Sequence, residues 1–478
     1  MSSDINTQSF LFDNLDQRQV VVDFSAGHVS SDGGLLLLRQ VDRSLGITRK
    51  LSQCFHDLRN QRFVEHSIEE LLAQRVLGLS AGYEDLNDHN ALRLDPLMAL
   101  CAGKTDPLGD NRLNEQDKGK ALAGASTLNR LELGNDKQTR CHKIIADHQA
   151  IESLLLQCGV QTLDKNTTEV VIDLDTTDDL IHGQQEGRFY NKYYDGYCYL
   201  PLYAFVGSIP LWTQLREANS DTCSDSVEAL KKIVAAIRKR CPRARIIVRA
   251  DSGFCREPIM VWCESQKEVY YCLGLARNER LLKHLDETFF WTSLRALQIG
   301  GVARSFVEFE YQTLKSWSRS RRVIGKAEVL QKKRNPRFIV TNLPAQGFDS
   351  QASQRFSPQN CYEQFYCARG DMENKIKEQQ LDLFADRTST HFMASNQLRL
   401  WFSSFAQLMM ERLRTIGLKG TSLARATAGT IRLRLLKIGA LVKVSVRRVH
   451  IQLASAFPLK EVFMHAQQAL MGWSALPT

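Results

Sequence analysis

The spacing of apolar residues divides the chain into a helical first part, an α/β middle and a helical end. Apolar residues recur at helical spacing in SSDGGLLLLRQVDRSL, HSIEELLAQRVLGLSAG and DPLMALCAGK, and again in LAGASTLNRLEL and from about residue 137 to 158. Ser31 or Asp32 is the predicted cap of the first helix and Asp95 of the third, because their side-chain oxygens can accept backbone N–H groups. After a short extended arm, the pattern therefore predicts a mainly helical region over residues 1–160.

The pattern changes at Thr168, where the first of several apolar, β-branched runs begins. TEVVIDLDTTD and RARIIVRADSGF are typical of buried strands that end in acidic residues, and YCYLPLYAFVGS, PLWTQLREA and VYYCLGLA predict three more strands. SDSVEALKKIVAAIRKRC and CREPIMVWCESQ predict helices between them. This order predicts an α/β core with a mixed central sheet, whose first part spans residues 161–277.

An antiparallel β insertion is predicted for residues 278–345. ARSFVEFEYQ, RRVIGKAEVLQ and RFIVTNLP alternate apolar and polar residues, as antiparallel strands with one face in water do. KSWSRSRR and QKKRNPR would form basic tips. Residues 346–412 would complete the core, and residues 413–478 would form a basic helical region for DNA binding or dimerisation. The predicted fold class is α/β multidomain, with an inserted antiparallel β subdomain and helical regions at both ends.

A helix predicted over residues 362–389 carries four polar side chains along one stripe. Tyr366, Arg369 and Glu373 stand at positions i, i+3 and i+7, and Lys377 follows one turn later. A hydroxyl, a guanidinium, a carboxylate and an ammonium on one face suit a phosphodiester with its metal ions. The alternative is a solvated helix face with an i,i+4 Glu–Lys pair.

Two aspartates strengthen the first interpretation. Asp175 and Asp251 end two predicted strands, and ligands of α/β sheets lie outside the carboxyl ends of strands. Together with Glu373 they form three carboxylates that repel each other unless a cation neutralises them. Oxygen ligands suit Mg²⁺ or Mn²⁺, and two such ions would activate a water and stabilise the leaving oxygen of a phosphodiester. Asp173, on the same strand face as Asp175, is a further candidate ligand, whereas Asp251 has the alternative role of capping the next turn.

The charge of the chain is concentrated near its end. The 478 residues, too many for one core, carry a formal net charge of +9. Eleven Lys and Arg and no Asp or Glu lie between Arg412 and Lys460, a distribution that favours a polyanion partner. Arg and Lys also lie on the polar faces of the N-terminal helices, although no helix-turn-helix spacing stands out. The predicted DNA-contacting residues are Trp317, Arg319, Arg321, Arg322, Lys332, Lys333, Arg334, Arg432, Arg434, Lys437, Lys443, Arg447 and Arg448.

Cysteine usage and hydropathy predict a cytoplasmic protein without a membrane partner. The twelve cysteines form no CxxC pair, which favours a reduced compartment over a disulfide or zinc framework. No apolar run approaches the roughly 20 residues that cross a bilayer. The polar, acidic start of the chain is unlike a signal peptide.

Several separated motifs resemble one family. IDLDTTDD, VRADSGF and YCARGDMENKIKE, with the flanking SSDGGLLLLRQV, STLNRLEL, HGQQEGRFYNKYY and REANSDT, resemble the DDE transposases of bacterial insertion sequences, which belong to the retroviral-integrase superfamily. The closest resemblance is to insertion-sequence family 1380. It implies a ribonuclease-H-like catalytic core in which Asp175, Asp251 and Glu373 form the metal-binding triad. It also implies an enzyme associated with the bacterial nucleoid, dimeric when it pairs two transposon ends.

The resemblance assigns roles to further residues. Related enzymes share the signature Y-x2-R-x3-E-x6-K, which Tyr366, Arg369 and Glu373 match, but its last position is Gln380, and Lys377 one turn after the Glu is the substitute. The implied reaction is cleavage at the transposon end and joining of the 3′ end to target DNA, with Arg369, Lys377 and Tyr366 holding phosphate oxygens. In related enzymes a Trp of the insertion receives a flipped base, and Trp317 is the better candidate for this than Trp291, which is expected in the core.

Three other functions were weighed against a transposase. A ribonuclease-H-like endonuclease without strand transfer would keep the same triad. A catalytically silent DNA-binding derivative would not need Asp175, Asp251 and Glu373 intact. A nucleotide-binding enzyme is not supported, because neither GxGxxG nor GxxxxGK[ST] occurs in the sequence.

Overall fold

The structure is a computed structural model that describes residues 9–133, 142–221, 223–330, 333–348 and 354–473. The chain separates into two compact units. The first combines both ends of the chain, residues 1–147 and 409–478, and the second is the continuous middle, residues 148–408.

The N-terminal part of the first unit is mainly helical but begins with a hairpin. Its strands pair as β1 with β2 and β4 with β5, both antiparallel. Its elements are β1 Phe10–Leu15, β2 Arg18–Val22, β3 Val29–Ser30, α1 Leu35–Leu45, α2 Ile47–Ser52, β4 Phe55–Asp57, α3 Ile68–Ala81, α4 His89–Leu92, α5 Pro96–Cys101, α6 Ala125–Glu132 and β5 Ile144–Ala146.

The predicted caps of this region have different outcomes. Asp95 caps α5, where its side chain accepts hydrogen bonds from the backbone N–H groups of Leu97 and Met98, so that prediction is confirmed. The prediction of Ser31 or Asp32 as the cap of α1 is wrong, because Gly34 precedes the helix and makes no side-chain cap. Instead, the buried Asp32 carboxylate forms an ion pair with Lys437, 2.6 Å from Nζ to Oδ1.

The middle of the chain holds twelve strands and eight helices within its described ranges. They are α7 His148–Gln161, β6 Glu169–Thr176, β7 Asp179–Leu180, β8 Phe189–Asn191, β9 Gly196–Tyr199, β10 Leu202–Val206, β11 Ile209–Gln214, α8 Ser226–Arg240, β12 Arg245–Ala250, α9 Glu257–Ser265, β13 Val269–Leu275, α10 Glu279–Lys283, α11 Asp286–Ile299, β14 Ala303–Tyr311, β15 Arg321–Leu330, β16 Lys333–Arg334, β17 Arg337–Thr341, α12 Pro358–Asn360, α13 Gly370–Leu383 and α14 Met393–Arg412.

One mixed sheet organises the second unit. Its strand order is β11-β10-β6-β12-β13-β17-β15-β14, and β16 pairs with β15. β6, β12 and β13 are mutually parallel, and their neighbours on both sides run antiparallel to them. The strands of the predicted insertion, β14, β15 and β17, therefore extend the central sheet through the β13–β17 pair and do not form a separate sheet. The region also contains α10 and α11, which the alternating pattern did not predict.

The C-terminal part of the first unit departs from the predicted all-helical region. Helices α15 Ala428–Ile431 and α16 Lys460–Gly472 enclose a hairpin of β18 Ala440–Val444 and β19 Val449–Leu453. β18 also pairs with β3, joining Ala440 to Ser30 and Leu441 to Val29. The β-branched residues of this stretch support strands as well as they support helices.

Candidate functional site

Strand register brings the first two candidate acids together. β6 and β12 are parallel, with Leu174 opposite Ala250. Continuing the register by one residue places Asp175 beside Asp251 at the carboxyl end of both strands. Asp175 Oδ1 accepts a hydrogen bond from its neighbour's backbone N–H at Thr176, and Asp251 Oδ1 caps the next turn by accepting from Gly253 N–H at 2.9 Å.

The third acid reaches this edge on a helical segment of changing pitch. Residues Cys361–Tyr366 form a π-helix, Cys367–Arg369 a 3₁₀ turn and Gly370–Leu383 the helix α13. The π-helical part packs on the core around Ile247 and Cys272, whereas Met372 and Ile376 of α13 pack in a second buried cluster. Because both ends are anchored by buried apolar contacts, the 3₁₀ turn and the start of α13 are held over the strand ends. π-Helical turns of this kind recur at functional sites.

Arg369 links the acids of the strand and the helix. Its Nη1 lies 3.0 Å from Asp175 Oδ2, and its Nη2 lies 2.6 Å from Glu373 Oε1. The second contact is an i,i+4 pair on the helix, different from the Glu373–Lys377 pair that the sequence offered as an alternative. One guanidinium therefore bridges two candidate ligands that are 198 positions apart in the sequence.

Burial makes the Asp175 carboxyl a weaker acid than an ordinary aspartic acid. Loss of hydration raises the pKa of the Asp175 carboxyl to about 7; Arg369 opposes that rise, and the negative charges of Asp251 and Glu373 add to it. At Asp175 the effect of burial on the pKa thus outweighs that of the ion pair with Arg369. This environment favours an additional positive charge or a proton.

Tyr366 fits against a glycine of the sheet. A Cβ atom placed on Gly274 would lie 2.5 Å from Tyr366 Oη and 2.8 Å from the backbone nitrogen of Ser252. The absence of a side chain at Gly274 thus lets the tyrosine and the Asp251 turn approach β13. Burial also raises the pKa of the Tyr366 hydroxyl to about 12, so the group remains a hydrogen-bond donor at neutral pH.

Asp173 has a different partner from the one predicted. Both of its carboxylate oxygens accept hydrogen bonds from Arg249 on the neighbouring strand β12, Oδ1 from Nε at 2.5 Å and Oδ2 from Nη2 at 2.8 Å. Arg249 also donates to the carbonyl of Phe365. Asp173 therefore anchors the helical segment to the sheet through Arg249, which engages both of its oxygens.

The two residues considered for the final lysine of the signature lie in different surroundings. Gln380 Nε2 donates a hydrogen bond to the carbonyl of Asp178 at 3.1 Å, which ties α13 to the loop after β6. Lys377 is exposed and makes no hydrogen bond or ion pair with any described residue. Gln380 thus has a structural contact, and Lys377 keeps a free ammonium.

The three candidate acids are not close enough together to form a ready-made metal site. In the part of the chain that the structure describes, no group of three or more His, Cys, Asp and Glu side chains is placed to hold a metal ion. The chemistry of the donors nevertheless suits a hard divalent cation, since Asp175, Asp251 and Glu373 offer only oxygens. Burial raises the pKa of Asp175, and the charges of Asp251 and Glu373 add to that rise.

The basic tips of the insertion are largely neutralised. Trp317 is only 6% exposed and packs edge-on against Tyr311, so its predicted stacking surface is covered. Arg321 is buried between Glu257 and Glu264, and Arg319 and Arg322 pair with Glu264 and Glu308. The prediction that these residues face DNA is therefore not supported by their contacts. Lys333 and Arg334 of the second tip are exposed, as are Lys315, Arg337 and the ion-paired Arg319, and Lys332 lies outside the described residues.

The C-terminal cations divide into two groups. Lys437 is engaged with Asp32, and Arg432 Nε donates to the carbonyl of Ser80, so these two support the fold of the first unit. The other four predicted DNA contacts of this region are exposed and lie on or near the β18–β19 hairpin: Arg434, Lys443, Arg447 and Arg448. No described residue forms an ion pair with these four, which leaves their charge available to a ligand.

Three residues of interest were missed by the sequence reasoning. Arg249 was part of a quoted motif, and a buried Asp173 needed a counter-ion on an adjacent strand, so the signal existed. Gly274 interrupts a buried strand, which is the usual mark of a close approach. Trp291, expected in the core, is 61% exposed on α11, since the helix buries Phe289 and Thr292 instead.

Comparison with known proteins identifies a family. The family model described as transposase DDE domain group 1 matches residues 12–474. No curated protein matches the chain. Among solved structures, a cryo-EM structure of a piggyBac transposase synaptic complex with hairpin DNA is similar over 85% of this chain and 80% of that chain, with 11% sequence identity and a TM-score of 0.39. None of the helices in the described ranges is both long and apolar enough to cross a membrane.

Proposed function

We propose that this chain, which belongs to the transposase DDE domain group 1 family and is a DNA transposase, binds the ends of its element, cleaves there and joins the 3′ ends to target DNA. The observation that supports the proposal is that Arg369 pairs with both Asp175 and Glu373, while Asp251 directly follows Ala250, the residue opposite Leu174 on the neighbouring strand. The motifs point more narrowly to bacterial insertion-sequence family 1380. The parallel β6–β12–β13 block flanked by antiparallel strands supports a ribonuclease-H-like core.

Asp175, Asp251 and Glu373 would hold the divalent ions, Mg²⁺ or Mn²⁺. When bound, two such ions supply Lewis-acid activation of the attacking oxygen and charge stabilisation of the leaving oxygen. Asp251 would use Oδ2, because Oδ1 already caps the following turn. Asp173 is excluded from this set in our proposal, since Arg249 occupies both of its oxygens.

The surrounding residues would orient the DNA backbone. Arg369 can exchange a carboxylate contact for two phosphate oxygens, because its planar guanidinium donates in pairs. Lys377, exposed one turn beyond Glu373, would hold a second phosphate as a point charge. Tyr366 would donate a hydrogen bond to a phosphate oxygen beside the cleaved bond. Its raised pKa keeps the hydroxyl protonated at neutral pH.

DNA binding would extend beyond the cleavage site. The exposed hairpin cations Lys443, Arg447 and Arg448 and the neighbouring Arg434 form the strongest candidate for phosphate contacts in the first unit. Two copies of the chain would act together, since a transposition event processes two ends. The cell compartment expected for such a reaction is the cytoplasm, at the bacterial nucleoid.

The proposal is tested by cleavage of a labelled duplex that carries the element's own end, in Mg²⁺. We expect the wild type to nick at the end and then join it to a target duplex, and Glu373→Gln to lose both steps by at least 100-fold while still binding DNA. Asp371→Asn is the matched control, because Asp371 is an exposed acid on the same helix. Equal cutting by wild type and Glu373→Gln would refute the assignment.

The endonuclease alternative separates from the transposase in the same assay. It predicts metal-dependent nicking with no joined product at any target concentration. Binding without cutting in either protein would point to the silent DNA-binding derivative.

A further inference from the structure

A polar cleft lies in the N-terminal part of the first unit, apart from the carboxylate site. Its volume is about 650 Å³, within the range of roughly 300–1,000 Å³ that is usual for small-molecule sites. It is bounded by the segment after β4, the end of α4 and the first turn of α6. Its lining contains five Arg or Lys side chains and two carboxylates.

The cations of the cleft fall into two layers. The inner layer is fixed by ion pairs: Arg93 with Asp117 at 3.0 Å and Arg112 with Glu65 at 2.9 Å. Arg59 is similarly held by a carboxylate outside the lining, that of Asp57.

The outer layer is exposed. Arg130 and Lys143 make no hydrogen bond or ion pair through their side chains with any described residue. Two exposed positive charges thus lie at the rim of a polar floor that is fixed by ion pairs.

The floor of the cleft holds a buried histidine among the ion-paired cations. His66 Nε2 lies 3.0 Å from Arg112 Nη1. Burial, with smaller contributions from the neighbouring cations, lowers the pKa of His66 to about 3, so the imidazole is neutral and adds no charge to the floor. The positive charge that can act on a ligand is therefore that of the rim.

An aromatic ring and small polar groups complete the lining. Phe63 is 75% exposed and is the last residue of a short 3₁₀ turn, Gln61–Phe63, that forms part of the cleft wall. Asn90 and the hydroxyls of Ser126 and Thr127 face the same space. An exposed ring beside free cations is the combination by which proteins bind unpaired nucleotides: the ring stacks on a base, and the cations neutralise the phosphate.

We infer that this cleft binds an unpaired nucleotide of a DNA strand, with the base stacked on Phe63 and the adjoining phosphate held by Arg130 and Lys143. A base inside a duplex cannot present its face to Phe63, so the cleft selects a frayed, flipped or single-stranded segment. The inference rests on the proposed function for the identity of the polymer, and adds a second DNA site in a different unit of the chain.

The test is binding of a labelled thymidine oligomer of about ten nucleotides, measured by fluorescence anisotropy in EDTA so that no cutting occurs. We expect Phe63→Ala to weaken binding of the single strand by about five-fold or more, because stacking of one base contributes about 1 kcal/mol or more. Phe63→Tyr should retain most of the affinity. For a blunt duplex of the same length, the Kd values of Phe63→Ala and wild type should agree within about two-fold.

Two further variants separate stacking from charge. Arg130→Ala with Lys143→Ala should reduce the dependence of log affinity on log salt by about 0.7, since the two side chains hold one phosphate and each lost phosphate contact on a single strand removes about 0.7. Phe24→Ala is the matched control, because Phe24 is 84% exposed in the same unit and does not line the cleft. All of these side chains are exposed, so the variants should fold.

The outcomes distinguish this inference from the proposed function. Equal affinity of wild type and Phe63→Ala for the single strand overturns the inference. It is also overturned if Phe63→Ala loses the same affinity for the single strand and for the duplex, because that result would mean that Phe63 does not stack on an unpaired base. Neither result depends on Glu373. Conversely, persistent cleavage by Glu373→Gln would refute the carboxylate site and leave the binding result at the cleft unchanged.

Discussion

Asp175 is the residue whose acidity can be checked most directly. Its pKa is near 7 in the folded chain without a metal and near 4 in an unfolded chain, so the folded state binds more protons between these values. Charging Asp175 therefore lowers stability as the pH rises from about 4 to about 7, and the cost is fully present above pH 7.

We expect Asp175→Asn to be more stable than the wild type in EDTA at pH 8, by about 1–4 kcal/mol, because the amide removes a buried charge. The difference should shrink as the pH falls through 7 and should largely disappear near pH 4. Urea unfolding at several pH values measures it. A pH-independent difference would contradict the raised pKa.

Magnesium should reverse that order if Asp175 is a ligand. Binding to the folded state alone stabilises it, by about 2.7 kcal/mol when the ion is at 100 times its Kd. We expect added Mg²⁺ to raise the melting temperature of the wild type at pH 8 and to leave Asp175→Asn unchanged. An equal rise in both proteins would place the ion elsewhere.

At the scale of single elements, β13 and the helical segment above it depend on one missing side chain. Gly274→Ala would place a Cβ atom within 2.5–3.1 Å of Tyr366 Oη, Ser252 N and Asp251 C, so Tyr366 or the Asp251 turn must move. We expect the free energy of unfolding to fall by about 1–3 kcal/mol. We also expect the rate of DNA cleavage to fall, because Tyr366 and the Asp251 turn are displaced.

The matched control for this glycine is Gly301→Ala. A Cβ atom there would meet only the carbonyl of Ile299, at 3.8 Å, an ordinary contact distance. Unfolding by denaturant and end cleavage should be measured on both variants. Unchanged cleavage in Gly274→Ala would mean that Tyr366 does not need its present position.

The positions of the buried strands could be predicted from the sequence, because each appears as a continuous apolar, β-branched run. TEVVIDLDTTD and RARIIVRADSGF gave β6 and β12 with their terminal acids, since a continuous apolar run has few other solutions. The sequence did not predict that the inserted strands join the central sheet. Pairing of β17 with β13 depends on contacts between distant parts of the chain, which the alternation of apolar and polar residues does not encode.

Side-chain partners were harder to predict than elements. Arg319, Arg321 and Arg322 have the composition of a DNA-binding tip, but the carboxylates that neutralise Arg319 and Arg321, Glu264 and Glu257, come from α9, more than 50 positions away. Trp317 and Trp291 exchanged their expected places for the same reason. Exposure is decided by what the fold packs against a residue, and one sequence shows only the residue.

At the scale of the whole molecule, the hairpin cations set a measurable salt dependence. Each phosphate contact contributes about 0.9 to the slope of log affinity against log salt on duplex DNA. We expect Arg447→Ala with Arg448→Ala to reduce that slope by about 2 and to weaken end binding at low salt. Lys231→Ala is the control, because Lys231 pairs with Glu228 at 2.6 Å. An unchanged slope in the double variant would exclude the hairpin from the interface.

The pairing of β3 with β18 and of Asp32 with Lys437 has a consequence for the order in which a ribosome delivers this protein. The first unit needs residues from both ends of the chain, whereas residues 148–408 contain all the strands of the nine-stranded sheet. During synthesis the middle can therefore fold while the beginning waits for its partners. A messenger cut short after residue 408 would yield β6 and β12, with Asp175 and Asp251, but would lack Lys437 and the β18–β19 hairpin. Asp32 would then be left without its ion-pair partner, and the phosphate contacts proposed for the hairpin would be missing.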